Sequence, residues 1–177
     1  MSYCDYVQLD SAHPVHKRYH DEHYGFPIQS DDELFGRLLM EINQAGLSWE
    51  TILRREEGFR RAYEGFSLKR IAAYGEPDIQ RLLADPGVIR HRKKIEAAIH
   101  NAQTILALGS FKNWLDQHLG LTKEEWIARF KKTFRFTGPE ITGEFLMSCG
   151  YLPGAHKADC PILQRIVHTN PPYLTKN

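Results

Sequence analysis

Apolar residues recur every three or four positions along most of the chain, the spacing of one face of an α-helix. The clearest run follows the capping signal Ser30-Asp31-Asp32-Glu33 and predicts a helix over about 31–45. A longer helix carries apolar residues from Ile95 to Ile105 on one face and ends at Gly109. The alternation of apolar and polar residues that marks strands is nearly absent, so the pattern predicts an all-α fold.

Proline, serine, threonine and glycine residues mark the other helix ends. Pro14 suits a first helical turn, and that helix is stopped after about Tyr24 by Gly25 and Pro27. The remaining predicted starts are Ser48, Ser67, Pro77, the capping box Thr122-Lys123-Glu124-Glu125, and Gly138-Pro139, the last helix ending at Gly150. No repeat or linker divides the sequence, so we expect one helical domain over residues 1–177.

Composition limits the classes of protein to consider. The 177 residues are enough to bury a substantial core, and the formal net charge is only +1. A polyanionic partner must therefore meet a local basic patch. No run approaches the ~18 apolar residues of a membrane span. With three cysteines and no apolar N-terminal stretch, we expect a cytoplasmic protein with reduced thiols and no membrane association.

A glutamate stands at the edge of the apolar stripe in the helix over about 31–45. Glu41 lies four residues before Ala45, and a buried carboxylate without a partner is unfavourable. One interpretation is an ion pair with Arg37, one helical turn earlier. The other is that Glu41 faces a cavity, with the large aromatic ring of Trp49 just beyond a glycine turn. These residues alone leave both interpretations open.

Four residues of metal-binding type lie near the two ends of the chain. Cys4 and His20 are near the start, and His156 and Cys160 are one helical turn apart near the end. Together they would make a Cys2His2 set suited to a closed structural zinc site. Taken singly, each is better interpreted as a surface histidine or a buried unreactive cysteine. Cys149, on an apolar helix, is assigned to the core.

A basic segment joins two predicted helices within about 79–106. A Pro86-Gly87 turn is followed by four cations around the start of the second helix: Arg90, Arg92, Lys93 and Lys94. Cations oppose the helix dipole at that end, and a bound phosphate would relieve the conflict. The segment therefore suits a helix-hairpin-helix that holds a nucleic-acid backbone. The alternative is a solvated basic helix start.

Six blocks of the sequence, taken together and in this order, form a recognisable pattern. They are Cys4; Tyr19-His20-Asp21-Glu22-His23-Tyr24-Gly25-Phe26-Pro27; Glu41 through Trp49; Gly87 through Ile95; Phe134-Arg135-Phe136-Thr137-Gly138; and His156-x-x-x-Cys160. Together they resemble the 3-methyladenine DNA glycosylase I family, within the helix-hairpin-helix glycosylases. The resemblance runs from Cys4 to about Cys160. The block from Gln44 to Trp49 is specific to the family, whereas the hairpin alone would fit many DNA-binding proteins.

The resemblance implies a role for each block. Cys4, His20, His156 and Cys160 match ligands of one structural zinc ion that ties the chain ends together. Glu41 matches the carboxylate that recognises the excised base, and the implied base-binding positions are Tyr19, Trp49, Tyr24, Tyr6 and His16. Gly46 and Leu47 match the approach to the gap left by the flipped nucleotide. Gly87, Arg90, Arg92, Lys93 and Lys94 match the backbone anchor.

The implied activity is flipping and hydrolytic release of cationic 3-methyladenine from double-stranded alkylated DNA. The free base is a product and an abasic site is left uncleaved, because no lysine is evidently placed to form a Schiff base. We expect a monomer. The alternatives are a non-catalytic zinc-stapled DNA-binding module, a helical domain for another cationic aromatic ligand, and a related glycosylase with altered lesion range. The presence of Glu41, Tyr19 and Trp49 together favours the enzyme.

Five positions depart from the family pattern around the expected site. Tyr24 and Tyr6 stand where tryptophan is found, His23 replaces a glutamate, His16 falls where a tyrosine is often found, and Ile42 falls where a glycine is also seen. Tyrosine keeps a stacking face but reduces its area. A protonated histidine would oppose a cationic ligand. These departures bear on the range of lesions accepted and leave the expected fold unchanged.

Overall fold

The computed structural model of the protein describes residues 1–175, and within them the chain forms helices and 3₁₀ turns but no β-strand. The helices are α1 (Tyr3–Tyr6), α2 (Pro14–Glu22), α3 (Asp31–Gln44), α4 (Trp49–Leu53), α5 (Glu56–Ala62), α6 (Leu68–Ala72), α7 (Glu76–Ala84), α8 (Arg92–Leu108), α9 (Phe111–Asp116), α10 (Lys123–Thr133), α11 (Pro139–Ser148) and α12 (Pro161–His168). The 3₁₀ turns cover Glu64–Phe66 and Pro172–Leu174. The all-α prediction is confirmed.

Side-chain caps explain where two of the longer helices begin. At the start of α10, the hydroxyl of Thr122 accepts the N–H of Glu125 at 3.2 Å, and the Glu125 carboxylate accepts the N–H of Thr122 at 2.8 Å. At the start of α3, the hydroxyl of Ser30 accepts the N–H of Glu33 at 3.3 Å. The reciprocal half of that predicted box is missing, because the Glu33 carboxylate accepts from Arg60 at 2.6 Å.

Other helix starts depend on contacts that the local sequence does not specify. α6 begins one residue after the predicted cap Ser67, whose side chain makes no capping bond. Instead, the N–H of Leu68 donates to Asp32 in α3 at 3.0 Å. The pattern also misses α1, α5, α9 and α12, which have 4, 7, 6 and 8 residues. Such short helices have too few turns for an apolar period to be recognised.

Helix α3 lies at the centre of the fold. It packs against α4, α5, α6, α8, α9 and α11, and its residues from Leu34 to Asn43 are buried except Arg37. A helix enclosed on most sides carries its polar residues inside the molecule as well. This is why Glu41 and Asn43 are buried, although the sequence pattern set Glu41 only at the border of the stripe.

The two ends of the described chain meet. A small apolar cluster joins α1 to α12 through Cys4, Cys160, Ile162 and Ile166, with Phe26 packed against it. Gly25 has φ +87°, and a Cβ there would lie 2.9 Å from Ile166 Cδ1, so this turn suits glycine. Among the described helices, none has the length and apolar character to cross a lipid bilayer.

Candidate functional site

A cavity of about 720 Å³, here called the pocket, opens where α1, α2, α3, α4 and α11 approach one another. Aromatic and acidic side chains dominate its lining. The lining residues are Tyr3, Tyr19, Tyr24, Glu41, Gln44, Ala45, Gly46, Trp49, Gly138, Pro139, Glu140, Ile141 and Glu144. Four residues predicted to bind a base, Glu41, Tyr19, Trp49 and Tyr24, are therefore brought together in one cavity.

Glu41 is the buried carboxyl group of the pocket. Its side chain is 5% exposed, and within residues 1–175 it makes no hydrogen bond or ion pair. The Arg37 guanidinium turns away and donates to the hydroxyl of Tyr19 and the carbonyl of Ser148, both at 3.3 Å. Burial raises the pKa of Glu41 to about 8; the charge of Arg37 opposes this shift and that of Glu144 adds to it. The cavity interpretation therefore fits better than an ion pair with Arg37.

Four aromatic rings form the wall beside Glu41. The rings of Tyr19 and Trp49 meet edge to face at 5.2 Å, and those of Tyr19 and Tyr24 lie 5.5 Å apart. Tyr3 meets Tyr24 edge to face at 5.6 Å. Aromatic faces around an open cavity suit a flat, polarisable ring, and a cationic ring gains further from their quadrupoles.

Tyr3 is a lining residue that the sequence analysis missed, and it stands in front of two residues predicted to bind the base. Tyr6 and His16 are not among the residues lining the pocket. The Tyr3 hydroxyl lies 3.0 Å from His16 Nδ1, and the Tyr6 ring meets His16 at 5.0 Å. Burial lowers the pKa of His16, although nearby Glu50 opposes the shift. This favours a neutral imidazole supporting Tyr3 from behind.

The acidic residues of α11 were also missed. Glu140 and Glu144 are one turn apart and both line the pocket, and Glu144 accepts a hydrogen bond from the Tyr24 hydroxyl at 3.2 Å. From the sequence, only a helix from Gly138-Pro139 to Gly150 was predicted here. The two glutamates, one helical turn apart and directly after Gly138-Pro139, were the sequence feature that could have indicated an acidic face on this helix.

The loop after α3 holds Gly46 and Leu47 at the rim of the pocket. Gly46 has φ +81° and lines the pocket, and Leu47 is 38% exposed. The side-chain amide of Gln44 donates to the Leu47 carbonyl at 2.9 Å, which closes the loop on itself. The apolar side chain of Leu47 is therefore exposed beside the cavity. This position suits the predicted approach of Leu47 to the gap that a flipped nucleotide leaves in a duplex.

Lys94 differs from its prediction as a phosphate-binding cation. It is 5% exposed, and its ammonium donates to the carbonyls of Asn43 at 2.9 Å and Ala45 at 2.7 Å. These acceptors lie at the C-terminal end of α3, where carbonyls lack helical partners. Lys94 therefore holds the α3 terminus and the following loop against α8, and we remove it from the DNA-contacting set.

The other cations around the start of α8 differ in whether they already form ion pairs. Arg92 forms a two-point ion pair with Glu76 at 2.6 and 2.7 Å and also approaches Glu96 at 3.3 Å. Arg90 and Lys93 are exposed and have no ion pair within the described part of the chain. Of the predicted anchor, Arg90 and Lys93 are the cations available to a phosphate.

Gly87, in the turn between α7 and α8, lies against the backbone of α5. Its N–H donates to Asp85 Oδ1 at 2.7 Å, and a Cβ on Gly87 would lie 2.7 Å from the Arg61 guanidinium and 3.4 Å from Gly58 Cα. A Cβ on Gly58 would in turn strike the Gly87 carbonyl. Both glycines allow the turn to pack closely on α5.

The four predicted metal ligands are brought together from opposite ends of the chain. Cys4, His20, His156 and Cys160 are buried, and their ligand atoms lie within 4.8 Å of one another. Cys160 Sγ lies 3.7 Å from His20 Nε2 and 3.5 Å from His156 Nδ1. Bonds of about 2.0–2.3 Å to a tetrahedral ion place its ligand atoms roughly 3.3–3.8 Å apart. The group therefore has the size of a closed four-ligand metal site.

The hydrogen bonds around this cluster orient both histidine rings. His20 Nδ1 donates to Asp21 at 2.7 Å, which leaves Nε2 free to bind an ion. His156 Nε2 donates to the Tyr24 carbonyl at 2.7 Å, which leaves Nδ1 free. Partners on the far ring nitrogen are typical of metal-binding histidines. Through Tyr24, the cluster also supports a wall of the pocket.

Several known proteins are similar to this chain in sequence. The family model described as methyladenine glycosylase matches residues 9–130. DNA-3-methyladenine glycosylase 1 of Escherichia coli (strain K12) is 33% identical over 183 residues, which cover 90% of this chain and 96% of that protein. DNA-3-methyladenine glycosylase of Haemophilus influenzae (strain Rd) is 41% identical over 105 residues, 59% of this chain and 55% of that protein.

Solved structures extend the similarity to the fold. A Tyr-to-Phe variant of 3-methyladenine DNA glycosylase I in complex with 3-methyladenine superposes with a TM-score of 0.81 at 30% identity, covering 92% of this chain and 97% of that one. The corresponding enzyme from Staphylococcus aureus also gives 0.81, at 29% identity, covering 91% and 97%. In both comparisons the similarity covers nearly the whole of each chain.

Proposed function

The chain belongs to the 3-methyladenine DNA glycosylase I family, and from this premise we propose that it hydrolyses the bond between sugar and 3-methyladenine, a base that is cationic while attached to double-stranded alkylated DNA. The observation that carries the proposal is Glu41, a carboxylate buried in an aromatic cavity with no partner among residues 1–175. A base alkylated at N3 is positively charged and supplies the cationic partner that this carboxylate lacks. A neutral adenine does not, so the pocket discriminates by charge as well as by shape.

Recognition of the base supplies most of the selectivity. At an effective dielectric near 20, an ion pair at ~4 Å is worth about 4 kcal/mol, and stacking of one base on aromatic side chains adds ~1–3 kcal/mol. Tyr19, Trp49 and Tyr24 provide the rings, and Glu41 provides the charge. The sum offsets the few kcal/mol needed to turn the nucleotide out of the duplex, which is less for a damaged base.

The chemical step needs little from the protein. N3 alkylation already makes the base a good leaving group, so breaking the glycosidic bond leaves the electron pair on a neutral base. Water then adds to the sugar cation and releases one proton to solvent. The described pocket lining contains no lysine to form a Schiff base. We therefore propose a monofunctional enzyme, acting as a monomer, that leaves an abasic site with an intact backbone.

The hairpin between α7 and α8 is proposed to hold the DNA backbone without reading sequence. Exposed Arg90 and Lys93 provide charge, and the turn at Gly87 is proposed to let the DNA backbone approach closely, while the N–H of Gly87 itself stays bonded to Asp85. Gly46 and Leu47 then approach the gap left by the flipped nucleotide. Because Lys94 ties the loop before Gly46 to α8, the anchor and the pocket rim are mechanically linked.

The buried cluster of Cys4, His20, His156 and Cys160 is proposed to hold one structural zinc ion. The donor set and ligand spacing fit zinc, and with four protein ligands no position remains open for water or substrate. The bound ion would supply stability and no chemistry. Its four residues would fix α1 and the turn before Phe26 against α12, which holds Tyr3 and Tyr24 at the pocket.

Release of free base from methylated DNA tests the proposal. Purified protein is incubated with methylated duplex, and released bases are separated by chromatography, while strand breaks are scored with and without alkali. We expect 3-methyladenine as the main released base and breaks only after alkali treatment. Binding of the duplex without any release of base would favour the non-catalytic DNA-binding alternative. Breaks before alkali treatment would contradict the monofunctional mechanism.

A further inference from the structure

Helix α11 brings a second carboxylate to the pocket from a different element than Glu41. Glu144 lines the cavity and is in contact with solvent there, although its carboxyl group is partly buried. The Tyr24 hydroxyl donates to it at 3.2 Å. Because α11 packs directly on α3, the two carboxylates influence each other, and the charge of Glu144 contributes to the raised pKa of Glu41. A ligand in this pocket therefore meets negative charge from two helices.

The pocket is one-sidedly acidic. Its described lining includes Glu41, Glu140 and Glu144 and no lysine, arginine or histidine. The nearby cation Lys123 lies over Gly143: a Cβ on that glycine would be 3.0 Å from Lys123 Cε and 3.3 Å from Nζ. Burial raises the pKa of Glu144, the Tyr24 hydrogen bond opposes this, Glu140 adds to it and Lys123 opposes it. No interaction within the pocket lining neutralises Glu144 by pairing it with a cation.

Resting on the proposed function, we propose that Glu144 is a second specificity-determining carboxylate, which acts on the positive charge of the flipped base from α11 while Glu41 acts from α3. The substrate class that follows is purines carrying a fixed positive charge from ring alkylation. Two carboxylates raise the preference for such bases over neutral purines beyond what Glu41 alone gives, because each additional negative charge favours only the cation.

A positioning role is the alternative to a direct electrostatic one. Glu144 accepts the Tyr24 hydroxyl hydrogen bond, so it contributes to the position of a ring that stacks on the base. A ring out of place would weaken cationic and neutral bases alike. A lost charge would weaken only the cation. Glu144→Gln retains an oxygen that accepts from Tyr24 and removes only the charge, whereas Tyr24→Phe removes the hydrogen bond and keeps the charge.

The test compares a permanently cationic model base with its neutral counterpart. The probes are 3,9-dimethyladeninium and 9-methyladenine, titrated at neutral pH while the fluorescence of Trp49 at the pocket wall is followed. The full-length proteins are wild type, Glu144→Gln, Tyr24→Phe and Glu41→Gln. Glu124→Gln is the matched control, because Glu124 is an exposed glutamate outside the pocket lining on α10. Thermal unfolding checks that each variant is folded.

We expect Glu144→Gln to weaken binding of the cation about tenfold, the lower end for a unit charge at a partly solvated site, and to change the neutral probe by less than about twofold. Glu124→Gln should change neither. Equal loss for both probes, or equal losses in Glu144→Gln and Tyr24→Phe, would reduce Glu144 to a positioning residue. An unchanged cation affinity would overturn the proposal. If wild type neither binds the cation nor releases 3-methyladenine, the proposed function itself fails, independently of Glu144.

Discussion

Glu41, proposed to recognise the base, lowers the stability of the folded protein when it is ionised. Its carboxylate is buried beside aromatic rings, and Arg37, the one nearby cation that its helix supplies, is directed to Tyr19 and Ser148 instead. The resulting pKa of about 8 means that the folded protein holds a proton on Glu41 near neutral pH. Binding of a cationic base favours the ionised carboxylate, so binding of the base and loss of that proton are linked.

The first prediction concerns stability against pH. The pKa of Glu41 is about 8 in the folded protein and 4.5 in its ordinary state, so the folded state binds more protons between these values. The contribution of Glu41 to stability is therefore largest below pH 4.5, falls as pH rises, and is lost above about 8. Glu41→Gln lacks this dependence, and we expect it to be more stable than wild type by a few kcal/mol at pH 8.5.

Chemical denaturation at pH 5, 7 and 8.5 measures this difference. The control is Glu124→Gln, which removes an exposed carboxylate outside the pocket lining. The gap between Glu41→Gln and wild type should widen with pH, whereas that between the control and wild type should stay constant. A constant gap for Glu41→Gln would mean that Glu41 titrates normally and is not held in a desolvated site.

At the scale of elements, two parts of the α8 start serve different purposes. Lys94 faces inward and binds the carbonyls at the end of α3, while Arg90 and Lys93 face solvent. The sequence predicted the turn and the cations but not this division. Lys94 points inward because unpaired carbonyls at the end of α3 lie opposite it. Those carbonyls belong to residues 43 and 45, which are far from Lys94 in the sequence.

The second prediction separates these roles. Replacing Lys93 or Arg90 by alanine should weaken binding equally for damaged and undamaged duplex and reduce the slope of log affinity against log salt by about one. Lys94→Met should leave that slope unchanged. Instead it should lower the free energy of unfolding by about 2 kcal/mol or more, because it leaves two carbonyls without their donor.

Binding titrations at several salt concentrations, together with denaturation curves, give both readouts for each variant. Arg92→Ala is a useful comparison, since Arg92 is already paired with Glu76 and should have an intermediate effect on the slope. If the salt slope falls in Lys94→Met but not in Lys93→Ala, the prediction is wrong, because Lys94 and not Lys93 would then contact the DNA backbone.

At the scale of the whole molecule, the pocket and the metal-type cluster form one structure. His156 binds the carbonyl of Tyr24, and Tyr3 is adjacent to Cys4 in the chain, so two pocket walls are attached to the cluster. Closing such a long loop by a metal contributes folding free energy, and structural zinc sites are worth ~10 kcal/mol or more in small domains at neutral pH.

The third prediction is that removal of the metal loosens the pocket as well as the fold. Treatment with a strong chelator under reducing conditions, or Cys160→Ser, should lower the melting temperature and weaken the response of Trp49 fluorescence to the base. Metal content is measured in parallel by elemental analysis. A metal-free protein with unchanged melting temperature and base affinity would show that the four residues need no ion.

The sequence predicted the helices with long apolar faces, and the blocks that carry the resemblance located Glu41, the aromatic walls and the four metal-type ligands. It could not predict which partner Arg37 would choose, that Lys94 would turn inward, or that Tyr3 and Glu144 would line the pocket. Each of these depends on contacts between segments distant in the chain. Glu144 and Tyr24, for example, are 120 residues apart and meet only in the folded molecule.

The most direct test of the central claim is the affinity of wild type and Glu41→Gln for a cationic base, followed by Trp49 fluorescence. We expect on the order of 10²-fold weaker binding of 3,9-dimethyladeninium to Glu41→Gln, the loss of an ion pair of a few kcal/mol. Binding of 9-methyladenine should change little, and the wild-type affinity for the cation should rise with pH up to about 8. Equal affinities of the two proteins for the cation at pH 8 would contradict the account, because Glu41 would then take no part in recognising the charge.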